Sequence, residues 1–390
     1  MPTRQNIVYL SPHFPTNFKT FSISLKNAGA RVLGIGDEPY YKLHAQLKDA
    51  MTEYYKVEDM HNYDELIKAV AYFTYKYGKI HRLDSHSEYW LDTEAKLRDD
   101  FNIYGLREQD MRQIRCKSEM KKVYQKLGLR VALGKVVHNI DEARKFIKKV
   151  GYPIVAKPDA GVGANDTYKV HSDADLEEVY SKISDIPYIL EEFITGEIHS
   201  YDGLADQNSN PIFCTSHIFS EGVMETVNED NHIYYYSVRD IPKKLEEIGK
   251  KCLKGFNVKE RFFHLEFFYT PSGEFVPLEV NIRPPGGLTT DMFNYACDIN
   301  IFEKWADLIV NGNNELDYER KYFCAYIGRK DGKSYVHPHS DILNNYSDYI
   351  ALHQEMPFVY RKALGDYAYI VRAEELSRVI EISHYIQTTY

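Results

Sequence analysis

In Phe275-Val-Pro-Leu-Glu279-Val-Asn281-Ile-Arg283, apolar and polar residues alternate. A strand there puts Glu279, Asn281 and Arg283 on one face and Leu278, Val280 and Ile282 on the other. The segment Arg261 to Tyr269 reads as its hairpin partner across Thr270-Pro-Ser-Gly273. A turn centred on Ser272-Gly273 sets Glu266 opposite Glu279, with Cβ atoms about 5 Å apart. Two carboxylates that close repel each other, and a hard divalent cation resolves the repulsion; Glu and Asn oxygens suit magnesium, with water and phosphate completing the shell. Arg283 beside them offers planar, charge-assisted hydrogen bonds to a phosphate-type oxygen. The same spacing also describes a solvated strand face with a cross-strand charge cluster. The hairpin alone supports both readings equally.

Upstream, Lys157 ends the apolar strand Pro153-Ile-Val-Ala-Lys157, an expensive place for an ammonium without an anionic partner. The loop after it carries Gly161 and Gly163, which permit positive φ and close approach of backbone to phosphate. It is neither a GxxxxGK[ST] phosphate loop nor a dinucleotide GxGxxG. Between this loop and the hairpin, Tyr188-Ile-Leu-Glu191-Glu192-Phe193-Ile194-Thr-Gly196-Glu197 reads as a strand running into a hinge. Such a hinge offers backbone groups to an adenine edge, apolar faces to its ring and a carboxylate to ribose; taken alone it is equally an ordinary edge strand with an acidic turn. The order of lysine strand, glycine loop and carboxylate hairpin is more informative than any one part.

The elements that must position these groups follow from periodicity. Ile7 to Leu10, a helix from Phe18 to Ala28 and Arg31 to Ile35 form a strand–helix–strand unit of parallel type. A helix from Tyr63 to Tyr77 and a strand from Lys79 to Asp84 extend it. A helix from Lys117 to Gly128, a strand from Val131 to Val137, an amphipathic helix over Asp141 to Val150, the Lys157 strand, and three further elements (Thr167 to His171, Asp173 to Ile183, Tyr188 to Phe193) make a compact α+β unit. Strands then dominate until a helix from Pro242 to Gly255. A long helical stretch is expected from about Thr289 to Val310, and the tail beyond Asn311 is aromatic and strand-rich without a readable motif. At 390 residues two or three domains are expected.

A net charge of -9 argues against nucleic acid as a partner. No stretch has the length of a signal-peptide core or a membrane span, so no membrane partner is expected. The five cysteines, including Cys116 and Cys214, never fall in CxxC spacing, which disfavours a disulfide framework or zinc site and fits a reducing cytoplasm. His217 and His232 read as structural or surface residues.

In order, these segments resemble the ATP-grasp superfamily, especially its carboxylate–amine ligases and carbamoyl-phosphate-synthase-like members. The carriers are Cys116-Lys117-Ser-Glu-Met-Lys121, Ala156-Lys157-Pro158 with its glycine loop, Glu191-Glu192-Phe193-Ile194, His264-Leu-Glu266-Phe, and Glu279-Val-Asn281-Ile-Arg283-Pro-Pro-Gly286-Gly287. The last is close to the family's ExNxRxxGG. The resemblance spans about residues 5 to 310. It implies an α/β and α+β chain: a preATP-grasp parallel-sheet domain (1–110) and two α+β subdomains (111–193 and 194–315) clamping ATP, with a C-terminal extension (316–390). Lys117 and Lys157 would contact phosphates and adenine, Glu191 and Phe193 would hold adenine largely through backbone groups, and Glu197 is the ribose candidate. Glu266, Glu279 and Asn281 would bind one or two Mg2+ ions (Mn2+ as the alternative), and Arg283 would be the catalytic arginine that steadies an acyl phosphate. Cys116 stands where the family has Asp, and aligning Ser200 leaves Ile198 at the usual ribose Glu. Arg239 and His199 lie in the stretch that faces acceptor or phosphates, and Arg239 is carried as a substrate candidate.

The implied reaction is phosphoryl transfer from ATP to a small carboxylate, followed by attack of an amine on the acyl phosphate. It needs positioning and charge neutralisation rather than a protein nucleophile. A kinase-like or carboxylase-type enzyme and a nucleotide-binding protein without catalysis are the alternatives. Acid and amine would be chosen by the N-terminal domain, residues 214–240 and the tail. Homodimers are common in this architecture.

Overall fold

The computed structural model describes residues 4–161, 166–182, 187–220, 222, 226 and 231–390. Ile7 to Leu10 are all fully buried, as expected for a parallel strand covered on both faces. Ile7 and Tyr9 point to one side and join Phe21 of the helix Lys19–Asn27. Val8 and Leu10 point to the other and join Val70 and Phe73 of the helix Tyr63–Tyr77. The resulting parallel sheet has the order Glu53–Lys56, Arg31–Gly36, Asn6–Leu10, Arg82–Asp84.

A second, antiparallel sheet has the order Gly134–Val137, Tyr188–Glu192, Ile154–Pro158, Tyr168–Val170. The helices Ile140–Val150 and Asp173–Lys182 bury Phe146, Ile147 and Leu176 against it. Asn139 caps the first of these helices by accepting from the N–H of Glu142.

The third sheet runs from the edge strand Phe275–Asn281 through Phe262–Tyr269, Glu197–Ala205, His217–Phe219 and Tyr234–Ser237. It does not stop there. Phe323–Arg329, Tyr367–Ala373 and Ile350–Glu355, all from the tail, continue the same ladder. The tail also carries helices, among them Phe358–Leu364 and Leu376–Gln387. One core joins the first sheet, the helices after residue 288 and the tail: Phe21 lies edge-on to Phe302 and Trp305, with ring centroids 5.0 and 5.3 Å apart.

The long helical stretch expected over Thr289 to Val310 is divided into two helices, Thr289–Cys297 and Ile301–Asn311. Asp298 adopts the left-handed region (φ 51°) and ends the first; Asn300 accepts from the N–H of Glu303 and starts the second. Helical periodicity runs across the break, and the Asp-Ile-Asn punctuation decides it. Among the described residues no helix is long and apolar enough to cross a membrane.

Candidate active site

The carboxylate hairpin reaches its expected register by an unexpected route. Thr270 and Gly273 close a three-residue loop: the N–H of Thr270 donates to Glu274 O and that of Gly273 (φ 77°) to Thr270 O, each at 2.9 Å. That loop pairs Phe267 with Pro277 and by itself would set Glu266 against Leu278. The register slips by one residue between Glu266 and Phe267, so that Glu266 lies opposite Glu279. Pro277 has no N–H to give the ladder, which makes its neighbourhood a natural place for a bulge.

Glu279 is pressed toward its neutral form. Burial raises its pKa most, Lys117 opposes this, and the carboxylates of Glu266 and Glu88 raise it further. The Lys117 ammonium is 3.6 Å away. Asn281, in the same strand, is buried, and its Oδ1 lies 3.4 Å from Arg283 Nη2. Glu266 meets His264 Nε2 at 3.4 Å, while His264 Nδ1 donates to the buried Asp202 at 2.5 Å. Burial opposes the charge on His264, but Asp202 and then Glu266 overcome it and push its pKa up to about 10. Asp202 also binds His217 Nδ1 at 2.7 Å. Asp202 thus holds both His217 and His264, and it is His264, part of the His264-Leu-Glu266 motif, that it holds beside Glu266.

A second cluster surrounds Glu191. Lys157 Nζ and Lys121 Nζ hold the two oxygens of Glu191 at 2.9 and 2.8 Å. Burial pushes Glu191 up, but the two lysines pull it down to about 2. Lys117 and Lys121 sit four apart in the helix Lys117–Lys126 and therefore share a face. The start of that helix is pinned to the Lys157 strand, since Lys117 N–H donates to Asp159 O at 2.8 Å and Ser118 Oγ to Asp159 Oδ2 at 2.7 Å. Lys121 was quoted in the motif but not singled out; its i,i+4 spacing from Lys117 is the signal.

Glu191 carries an expected backbone role toward adenine, and its place in the sheet bears on that role. Its strand is central, paired with Gly134–Val137 on one side and Ile154–Pro158 on the other, and Glu191 faces Gly134 and Val155 in the ladder. Its main-chain groups belong to the sheet. The strand ends at Glu192, and Phe193 to Gly196 form the hinge beyond it; the Phe193 ring has the Lys169 ammonium 3.9 Å from its centroid. Glu197 is exposed, with His199 Nε2 at 3.5 Å.

Gly161 is outside the left-handed region, and among the described residues a Cβ there would meet Pro158 Cβ at 3.6 Å, an ordinary contact. Gly163 lies outside the described residues. Cys116 forms an isolated bridge with Ala160. Arg239 is not brought to the hairpin: its Nε donates to Arg320 O at 3.2 Å and its Nη1 to Glu374 O at 3.4 Å, both in the tail.

Arg283 is reached from two directions. Its Nε donates to Glu88 Oε2 at 3.0 Å, and Glu88 comes from the loop after the last strand of the first sheet. From the tail, Tyr360 and Leu364 pack on the Gly286-Gly287 turn, with Tyr360 Cε1 3.8 Å from where a Gly286 Cβ would lie. Burial pushes the Tyr360 phenol up to about 12 against the pull of Arg283. Sequence spacing gave no sign of either neighbour.

The donor set fits a magnesium–nucleotide complex. Two hard carboxylates and one amide share this face, with His264 3.4 Å from Glu266, Lys117 3.6 Å from Glu279 and Arg283 beside Asn281. Among the described residues no group of three His, Cys, Asp or Glu could hold a metal on its own.

Comparison with known proteins agrees. A family model described as an ATP-grasp domain matches residues 150–291. The L-arginine-specific L-amino acid ligase of Bacillus subtilis is 24% identical over 254 residues, which are 63% of this chain and 61% of that protein; the match thus spans under two thirds of the relative's length. The crystal structure of an L-amino acid ligase from Bacillus licheniformis superposes with a TM-score of 0.76 at 14% identity, covering 98% of this chain and 97% of that one. The biotin carboxylase domain of Hydrogenobacter thermophilus 2-oxoglutarate carboxylase, solved with MgADP, gives 0.71 at 15% identity over 97% and 89%. The chain has the ATP-grasp fold, and its residues 150–291 are an ATP-grasp domain.

Proposed function

We propose that this chain is an ATP-dependent ligase of the amino-acid ligase type, which activates a small carboxylate as an acyl phosphate and joins it to an amine. The observation that carries this reading is the Glu266–Glu279 pair with Asn281 and Arg283 beside it. A protein that only held adenine would have no use for such a face. The ligase names of the relatives support the choice of reaction class.

Glu266, Glu279 and Asn281 would hold Mg2+, or Mn2+ in its place, and the ion would neutralise charge on the ATP phosphates. Lys117 and Lys157 supply positive charge to the same phosphates, with Lys121 and Glu191 fixing Lys157. The hinge after Glu192 takes the adenine, and Glu197 stands at the ribose end. A substrate carboxylate oxygen attacks the γ-phosphorus and ADP leaves. The amine then attacks the acyl carbon, phosphate leaves, and Arg283 donates a hydrogen bond to the oxyanion or phosphate that carries the developing charge. Substrate alignment is the main work left to the protein.

The test is a screen of amino acids and other small acids, singly and in pairs, for ADP release with chromatographic detection of the joined product. ADP release that requires a carboxylate and an amine together supports the proposal. ATP consumption that yields only a phosphorylated product would sink it in favour of a kinase-type reaction.

A further inference from the structure

We propose that Glu88 is the positioning residue of Arg283, so that the first domain sets the orientation of the arginine that serves the reaction. The inference rests on the ligase reading for the role of Arg283. It adds a residue 195 positions away in sequence.

The argument starts with the donors of a guanidinium, five N–H bonds in a rigid fork. Arg283 Nε and Nη2 both donate to Glu88 Oε2; Nη2 also faces Asn281 Oδ1 at 3.4 Å, and Nη1 donates to Pro284 O at 3.0 Å. These bonds fix the plane of the fork and leave one Nη1 hydrogen to offer an incoming anion. Glu88 is in turn held from behind. Arg115 Nη1 donates to Glu88 Oε1 at 3.2 Å and to its main-chain oxygen at 3.3 Å. Three cations, Arg283, Arg115 and Lys117, act on this one carboxylate. Arg115 is also tied to Asp92 at 3.3 Å and Lys117 lies 3.6 Å from Glu279, so Glu88 is the carboxylate that holds Arg283 in place beside the hairpin.

The segment that delivers Glu88 is itself rigid. Asp84 accepts from the N–H groups of Ser85 and His86 at 3.0 and 3.2 Å and pairs with Arg261 Nη2 at 3.2 Å. His86 takes a left-handed φ of 58°, stacks on Phe21 with centroids 4.0 Å apart, and meets Tyr9 Oη at 3.0 Å. Arg261 immediately precedes the hairpin strand Phe262–Tyr269 that carries Glu266. Docking of the first sheet on the hairpin and aiming of Arg283 are thus one structural event.

The experiment is a double-mutant cycle in the full chain with Glu88→Gln, Glu88→Asp, Arg283→Lys and the double variant Glu88→Gln/Arg283→Lys. ADP release gives kcat and the KM for ATP, hydroxylamine trapping measures acyl phosphate, and thermal melting checks the fold. Glu88→Gln is expected to lower kcat on the order of 10²-fold, the usual result of a small misplacement, with the KM for ATP within about twofold. Glu88→Asp should recover part of kcat, and with Arg283→Lys already present, Glu88→Gln should cost less than about twofold more. An equal loss in both backgrounds means that Glu88 acts on substrate by itself and overturns the inference, as does an unchanged kcat in Glu88→Gln. ADP release reads the cycle even if no carboxylate yields a hydroxamate, a result that would sink the ligase reading alone.

Discussion

Two neighbouring clusters of buried charge are balanced in opposite ways. Around Glu191, each carboxylate oxygen has a lysine within 2.9 Å, and the carboxyl is held down at about 2. Around Glu279, burial and two neighbouring carboxylates push the carboxyl up, and Lys117 approaches only to 3.6 Å. Both carboxylates are desolvated, and desolvation is costly unless a counter-charge is close. The first cluster is complete within the protein. The second becomes complete only when something positive enters, and this contrast separates scaffold from site more sharply than residue type does.

The largest expected effect tests the open cluster. Glu279→Gln should reduce ATP turnover by at least about 10²–10³-fold, the range for removing one strong electrostatic contact to a transition state, while the apo protein melts no lower than wild type. The substitution removes a charge that the folded state disfavours. A lower melting temperature with normal turnover would exchange the roles of the two clusters.

Glu191→Gln should behave in the reverse order. It leaves two buried lysines without their carboxylate, and breaking a buried ion pair from one side costs about 3–5 kcal/mol. Urea denaturation should show this loss with the slope unchanged. The pH dependence carries a sign that can be checked. The folded pKa of Glu191 lies below its ordinary 4.5, at about 2, so its stabilisation is fully present above 4.5 and fades as pH falls toward 2. The stability difference between wild type and Glu191→Gln should shrink over that interval, and a gap constant from pH 6 to 2.5 would contradict the two-lysine pairing.

Local patterns made much of this legible. Alternation in 275–283 placed Glu279, Asn281 and Arg283, and turn residues suggested the hairpin. The Glu266–Glu279 register came out as expected because a longer loop and a bulge at Pro277 offset each other. What stayed hidden depends on contacts between residues distant in sequence. Glu88 and Tyr360 reach Arg283 from chain segments 195 residues before and 77 after it, and no periodicity records such a meeting. The main-chain position of Glu191 was missed for a related reason. A strand of mixed apolar and acidic residues looks like an edge until its two partners are known.

The smallest effect sharpens the comparison at its rim. The Glu197 side chain is 70% exposed, and its neighbour His199, 3.5 Å away, is pushed by burial toward its neutral form, so neither burial nor pairing fixes it as they fix Glu191 and Glu279. Solvent screens such a group, and its contacts are worth well under about 1 kcal/mol. Glu197→Gln should therefore raise the KM for ATP no more than about threefold, leave kcat unchanged, and discriminate little between ATP and its 2′-deoxy analogue. A tenfold rise confined to the ribose-bearing nucleotide would show that closure over ATP buries Glu197, giving the ribose end the same dependence on ligand that Glu279 shows at the metal end.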